Sequence, residues 1–302
     1  MVGASFLGKT VVYAQQISDN GVPVIEMVGD TTLSTRWDIS NLHQTQFRHE
    51  MESLFETIKN DLHFPDREIS VVLPFEWLHC YTLQIDSALS EDDQREYLCW
   101  EFQQRLGDHH NRYRPHFYPV TTADHETVLT VGLPENLVSI LKSAADTVHL
   151  ELNLLELSPL SALSNIPATD ATGCLCKFYE EVIEMTAYEH RKFVTSALFS
   201  LEEDNVIHLD RSSGGESETN ELQSVLSDLF TGESSDVPVF VYGREIPGSI
   251  QKLIQEMENL QYIRPFQDIQ VNFRTSETPD IPTESQYAEV MGTIRQALGD
   301  SA

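Results

Sequence analysis

The chain has 302 residues, 40% of them hydrophobic, which is more than one compact domain needs and enough for a sizeable core. Its 48 acidic residues against 19 basic ones give a formal net charge of -29, a field that repels polyphosphate backbones and anionic membrane surfaces and so argues against nucleic acid and peripheral lipid as partners. No run of 18 apolar residues is present, so direct membrane insertion is not expected, and Met1 to Thr10 lacks the basic and apolar regions of an export signal.

The four cysteines, Cys80, Cys99, Cys174 and Cys176, are too few and too scattered for a disulfide framework and fit a reducing compartment, with cytoplasm as the default. The densest basic stretch holds Arg105, Arg112 and Arg114 with His109, His110 and His116. Acidic residues lie close by on its N-terminal side, and it reads as a solvated loop. Strong acidity with few lysines also suits a protein that stays soluble in high salt, where screening weakens self-repulsion.

In chain order, strand-like alternation runs from Val11 to Ile17, breaks at Asp19-Asn20-Gly21 and resumes from Val22 to Val28, which predicts a hairpin. Pro23 predicts an edge position or a delayed strand start. Phe47, Met51, Leu54, Phe55 and Ile58 share one helix face, and Pro65 closes that region. Ser70 to Leu73 and His79 to Ile85 read as strands. Ser90 followed by Asp93 predicts a capped helix carrying Tyr97, Leu98, Trp100, Phe102 and Leu106. His109 to Pro119 is polar and broken, and Thr127 to Val131 reads as a strand.

Pro134 opens a helix with Leu137, Ile140, Leu141, Ala144, Ala145 and Val148 at helical spacing. An apolar run from Leu150 to Leu157 ends at Ser158-Pro159, and Leu160 to Leu163 starts another helix. Gly173 to Phe178, Val182 to Thr186 and Phe193 to Phe199 predict an antiparallel meander, with Val206 to Leu209 as a further strand and Asp210 to Glu216 as a Gly/Ser-rich loop. A helix carries Leu222, Val225, Leu226, Leu229 and Phe230, and Thr231 to Asp236 is a polar break. Val237 to Tyr242 reads as a buried strand. The helix after Pro247 carries Ile250, Leu253, Ile254, Met257 and Leu260, and a last helix carries Tyr287, Val290, Met291, Ile294 and Leu298. Between them, Thr275 to Pro282 has the composition of a disordered loop. Strands alternating with helices in both halves point to two α/β units.

Several segments, in this order, carry a family resemblance. Val71-Val72-Leu73-Pro74, the stretch ending at Ile85, Leu89 to Trp100-Glu101-Phe102, Thr130 to Pro134, Leu154 to Leu163, and Val239 to Gly243 followed by Ile246-Pro247-Gly248 resemble the type IV pilus assembly protein family PilM. More distantly, they are similar to the cytoplasmic part of the type II secretion protein GspL. The segments cover most of the chain, and none is a chemical signature by itself.

The resemblance implies an actin-like (ribonuclease H-like) two-lobed α/β fold with a small inserted α+β subdomain. It divides the chain into a first half, 1–158, holding the insertion at about 75–150, and a second half, 159–302, whose last helix returns to the first. In that fold nucleotide sits on paired Asp-x-Gly hairpins, where carboxylates manage metal and water while glycines let the backbone approach phosphate. Ser5-Phe6-Leu7-Gly8-Lys9-Thr10 and Gly173-Cys174-Leu175-Cys176-Lys177 offer no carboxylate, and Tyr242-Gly243-Arg244 has one glycine where a pair is usual.

Accordingly no catalytic, cofactor-binding or metal residue is assigned, and hydrolysis is expected to be lost. The alternative is an active ATPase using ATP and magnesium, in which Asp19, Asp210 or another acid replaces the usual carboxylates; a soluble α/β protein of another class is a third reading. The function implied is a cytoplasmic adaptor recruited to the inner face of the membrane. Its partner would be the N-terminal cytoplasmic tail of an inner-membrane assembly protein, and an assembly ATPase is a second candidate. Charge predicts a tail that is basic or held by apolar and backbone contacts. Docking is expected by strand addition or in the crevice between the insertion and the first half.

The remaining motifs read as structure. Gly8-Lys9-Thr10 lacks the glycines and spacing of a phosphate loop, leaving a solvated lysine. Cys174 and Cys176 face one side of a strand as core residues, since the nearest histidine, His190, lies beyond a polar turn. His109, His110 and His116 read as surface residues rather than ion ligands. Trp77, His79, Tyr81, Tyr97 and Trp100 serve either packing or an interface, with packing favoured.

Overall fold

The computed structural model describes residues 1–62, 68–86, 88–121, 126–167, 172–201, 207–231, 237–267, 269–271 and 281–299. The expected break from Thr231 to Asp236 and the expected disordered loop from Thr275 lie mostly outside these residues.

The first lobe begins with β1 (Val2–Leu7), β2 (Thr10–Asp19) and β3 (Val22–Thr32). Asn20 and Gly21 both have positive φ, 53° and 83°, the geometry of a tight hairpin turn whose twist matches that of the strands. Pro23 pairs with Ser18 at the start of β3, so the missing N–H falls where the ladder is only beginning. Helix α1 (Thr45–Asp61) buries the five apolar residues expected on its face. Strand β4 (Glu68–Leu73) then joins β1 in parallel.

After Pro74 the chain makes a short turn of 3-10 helix, Phe75–Trp77, and enters the insertion. This comprises β5 (His79–Ile85), α2 (Glu91–Leu106), a second 3-10 stretch from Gly107 to Arg112, β6 (Tyr113–Thr121) and β7 (Glu126–Pro134). The Ser90 side chain accepts from the Asp93 N–H at 3.2 Å, so the cap forms as expected. The strands form a separate three-stranded sheet in the order β5-β7-β6. Strand β6 corrects the expectation of a solvated basic loop, because Arg114 and His116 lie in it, Arg105 lies in α2, and only Arg112 and the two adjacent histidines occupy the 3-10 stretch.

Helix α3 (Glu135–Thr147) packs on α1, and β8 (Glu151–Leu157) closes one edge of the first sheet beside β4. Helix α4 (Ser158–Leu163) leads into β9 (Thr172–Tyr179), β10 (Val182–Glu189), β11 (Lys192–Leu201) and β12 (Ile207–Ser212). Next come α5 (Glu216–Thr231), β13 (Val239–Gly243), α6 (Gly248–Glu256), β14 (Leu260–Tyr262) and β15 (Gln270–Val271). Leu260, expected on a helix, opens β14, because pairing with β13 outweighs its helical spacing from Met257. The chain ends with α7 (Ile281–Ser285) and α8 (Ala288–Ala297).

The sheet orders are β15-β3-β2-β1-β4-β8 and β12-β11-β10-β9-β13-β14. Each lobe thus places a β-meander beside parallel strands. Alternation along β9 sends Cys174, Cys176 and Phe178 into a core with Leu222, Leu226 and Ile250. The two cysteines are therefore the core residues expected of them. Leu175 and Tyr179 face the other way, into a larger core shared by both lobes. Helix α8 lies in that shared core against α4, β1 and β4. Its Gly292 permits the approach, since a Cβ there would sit 1.9 Å from the Ser161 carbonyl oxygen.

Candidate functional site

The two lobes present similar hairpins to each other. In the first, Gly8 and Lys9 form the two-residue turn between β1 and β2, with Gly8 at φ 64°. In the second, Glu180 and Glu181 connect β9 to β10, with Glu180 at φ 51°. A left-handed glutamate occupies a position for which glycine is the undemanding choice. Its side chain has specific partners: the Lys9 N–H donates to Glu180 Oε1 at 2.8 Å, and Arg36 Nη1 lies 3.7 Å from Glu180 Oε2. The carboxylate also abuts Gly8, where an added Cβ would lie 2.6 Å from its carbon. A carboxylate therefore covers the positive-φ turn in which backbone N–H groups could otherwise meet an anion.

Ser5 stands three residues before the first turn and Lys177 three before the second. Both belong to the stretches where the family resemblance implies carboxylates. Lys177 pairs across the sheet with Glu184 on one side and Tyr242 on the other, so one rung of the second sheet carries all three. Glu289, at the start of α8, meets this rung from the opposite side. Lys177 Nζ lies 2.8 Å from Glu289 Oε1, 3.8 Å from Glu184 Oε2 and 2.9 Å from Ser158 Oγ. Ser158 donates to Glu289 at 2.5 Å, Tyr242 donates to it at 3.1 Å, and Ser5 donates to its other oxygen.

Lys177 and Glu184 are 1% exposed and Glu289 is fully buried, so these charges must satisfy one another. Burial pushes Glu184 up to about 7, against the pull of Lys177. Burial alone would lower Lys177, but the Glu289 and Glu184 carboxylates hold it above its ordinary value. Burial, followed by Glu289 and Glu184, raises Tyr242 well above the usual phenol range, keeping it a donor. The lysine supplies within the protein the positive charge that two facing carboxylates would otherwise draw from a cation.

Further contacts join the lobes. Arg244, just after Gly243, pairs with Asp30 at the end of β3 at 2.8 Å. Arg211 of β12 donates to the carbonyls of Glu76 and Leu78, and the Thr82 N–H donates to the Ser213 carbonyl at 2.7 Å. A cavity of about 340 Å3 lies beside Asp30, Arg244 and Gln286.

The alternative carboxylates lie elsewhere. Asp19 ends β2, ten residues or about 30 Å along the strand from the Gly8–Lys9 turn. Asp210 is exposed on the edge strand β12 and accepts from Ser200 at 2.9 Å. The carboxylates placed at the cleft, Glu180 at the second turn and the Glu184 and Glu289 pair at Lys177, were not singled out by sequence. The available signal was a charge within an apolar pattern, as in Ile183-Glu184-Met185. Among the described residues no group of three or more His, Cys, Asp or Glu is placed to hold a metal ion. No helix among them is long and apolar enough to cross a membrane.

A second concavity lies between the first lobe and the insertion. Two adjoining cavities of about 610 and 620 Å3 share His43, Glu135 and Asn136. Ile39 and Leu42 line one wall, and Arg112, Tyr113 and Pro134 the other. Among the described residues, the guanidinium groups of Arg48 and Arg112 outnumber the one lining carboxylate, Glu135, which pairs with Arg114 at 3.3 Å. The indole-bearing residues divide. Trp77 is buried, packs on Phe6 and Phe47 and donates to the Trp37 carbonyl at 2.7 Å, whereas Trp100 is exposed on α2. His79 stacks edge-on with Tyr113, at 4.8 Å between ring centres, and burial together with Arg211 lowers it to about 4.

No protein-family model and no curated protein matches the chain. Among solved structures, the PilM-PilN type IV pilus biogenesis complex is similar with a TM-score of 0.70 and 12% identity, covering 98% of this chain and 98% of that one. The cytoplasmic domain of EpsL, an inner membrane component of the type II secretion system of Vibrio cholerae, gives 0.48 and 10%, covering 100% and 95%. A Bacteroides thetaiotaomicron protein with actin-like ATPase fold and unknown function gives 0.41 and 8%, covering 87% and 90%. The chain has the actin-like two-lobed α/β fold, and the three-stranded sheet with α2 is its small inserted subdomain.

Proposed function

We propose that the chain is a cytoplasmic adaptor of a type IV pilus or type II secretion-like inner-membrane assembly, holding the cytoplasmic tail of a membrane partner without hydrolysing ATP. One observation carries the loss of hydrolysis: the first turn and the buried charges at the inter-lobe cleft already have partners within the protein. Glu180 accepts from the Lys9 N–H, and Lys177 binds Glu289 and Glu184. A phosphate at the first turn would have to displace the Glu180 carboxylate, and a divalent ion would have to compete with a buried ammonium.

The tail is assigned to the crevice between the insertion and the first lobe, where half-buried Ile39 and Tyr113 lie over buried Leu42 and Pro134. Because cations outnumber carboxylates there, the segment is held by apolar and backbone contacts rather than by basic side chains. Similarity to the PilM-PilN type IV pilus biogenesis complex supports an assembly role.

Two measurements test this. Isothermal titration of the full chain with Mg-ATP should show no binding, and a micromolar dissociation constant would remove the claim that the cleft is closed. Co-purification from the native cell under its own salt conditions should recover a single-pass membrane protein through its cytoplasmic tail. Recovery that persists after that tail is deleted would overturn the adaptor assignment.

A further inference from the structure

A third concavity, of about 520 Å3, lies where the insertion, α4, the β10–β11 hairpin and α8 meet. Its size is that of a ligand site. Val120, Leu160, Leu163 and Phe193 form an apolar floor. The polar lining includes Arg191, Lys192, His190 and Arg295, the last donating to Asn165 and the Pro265 carbonyl, and among the described residues no carboxylate lines it. In a chain of 48 acidic and 19 basic residues this lining is opposite in sign to the protein as a whole. Two carboxylates neighbour the lining: Glu189, 3.9 Å from His190, and Glu156, which acts on Tyr118.

Two further features point to an occupant. Arg191 Nε is buried and has no hydrogen-bond partner among the described residues, although buried donors are nearly always paired. His190 and Arg191 both adopt left-handed backbone, at φ 51° and 60°, in a hairpin turn where Asn-Gly is the undemanding sequence. The turn thus holds an imidazole and a guanidinium beside the cavity in a conformation that neither favours.

We infer that this cavity binds a short acidic peptide segment of a partner protein, with an aliphatic or aromatic side chain on the apolar floor and flanking carboxylates on Arg191 and Lys192. Pro115 and Pro119 in β6, an edge strand of the inserted sheet, oppose docking by strand addition, so side chains carry the recognition. A second copy of the chain is disfavoured because each copy carries a formal charge of -29. The site is separate from the tail crevice and does not depend on its assignment.

The test is selection of a random twelve-residue peptide display library on the full chain, with counter-selection on the Arg191→Glu/Lys192→Glu variant. Retained sequences should place Asp or Glu beside an aliphatic or aromatic residue. Synthetic versions should bind at least tenfold more weakly to that variant and to Lys192→Glu alone, with circular dichroism unchanged. Replacing the peptide's acids by lysine should abolish binding, and Asn136→Trp, which fills the tail crevice, should leave it intact. The inference is overturned by retained sequences without acidic residues, by equal binding to wild type and variants, or by loss on Asn136→Trp. A concentration-dependent dimer dispersed by Lys192→Glu would overturn it in favour of a second copy.

Discussion

The inter-lobe cleft and the crevice beside the insertion are both concave and polar, but their charges are satisfied differently. At the cleft, Lys177, Glu184, Glu289 and Ser158 lie on different elements and leave almost no exposed surface. At the crevice, His43, Arg112 and Asn136 are exposed, and Tyr113 is half-buried against His79. The first arrangement holds the lobes in one geometry, and the second leaves surface for another molecule. One concavity is thus filled by the protein's own buried charges, and the other keeps a polar rim open to solvent.

The sharpest test removes the cation of the cleft. Lys177→Met leaves two buried carboxylates facing each other and should destabilise the protein by about 3–5 kcal/mol in urea unfolding, because one partner of a buried ionic network has been removed. Adding Glu184→Gln and Glu289→Gln should restore most of the loss, since the network is then neutral. A loss below about 1 kcal/mol would show that the network tolerates an unpaired charge and resembles the crevice more than the structure indicates.

The elements on which these sites rest were legible where local chemistry decided them. Asn20-Gly21 requires positive φ, Ser90 caps α2, and the periodic apolar residues of α1 become its buried face. Strand β6 was hidden because Pro115, Pro119 and several polar residues resemble a loop, yet β7 pairs with it throughout. The cleft network was less legible. Lys177, Glu184 and Glu289 come together only through the β9–β10 register and the docking of α8, and spacing along one chain does not encode that convergence.

The second test uses pH. Glu184 has a folded pKa of about 7, above its ordinary 4.5, so the folded state retains a proton that the unfolded state loses. That contribution is complete below pH 4.5 and is lost as pH rises through 7. His79, lowered to about 4 from 6.5, acts in the opposite direction: its contribution is present above 6.5 and is lost as pH falls through 4. The two slopes oppose each other between pH 4.5 and 6.5. Glu184→Gln should make stability rise more steeply with pH in that window, and His79→Gln should make it fall, each by up to about 1 kcal/mol per pH unit. Equal slopes in wild type and both variants would place these charges in water.

The third test acts on the crevice alone. Asn136→Trp should weaken binding of the membrane partner's tail at least tenfold, or about 1.4 kcal/mol, while the urea midpoint stays unchanged. Tail binding unaffected by this bulk would move the tail to another surface and leave the crevice without its assigned role.

The smallest expected effect concerns the exposed contact between the lobes. Arg244 and Asp30 are 38% and 43% exposed, so their 2.8 Å pair is screened by water and ions in a way that Lys177 and Glu289 are not. Arg244→Ala should therefore cost at most about 1 kcal/mol at low salt and nothing measurable at 1 M, as read from urea midpoints. The backbone position should tolerate the change, because Arg244 N–H still donates to the Phe178 carbonyl at 2.7 Å whatever the side chain. A larger, salt-insensitive loss would mean that the lobes are held at the cleft's rim as firmly as at its floor, and the buried network would no longer be the main lock.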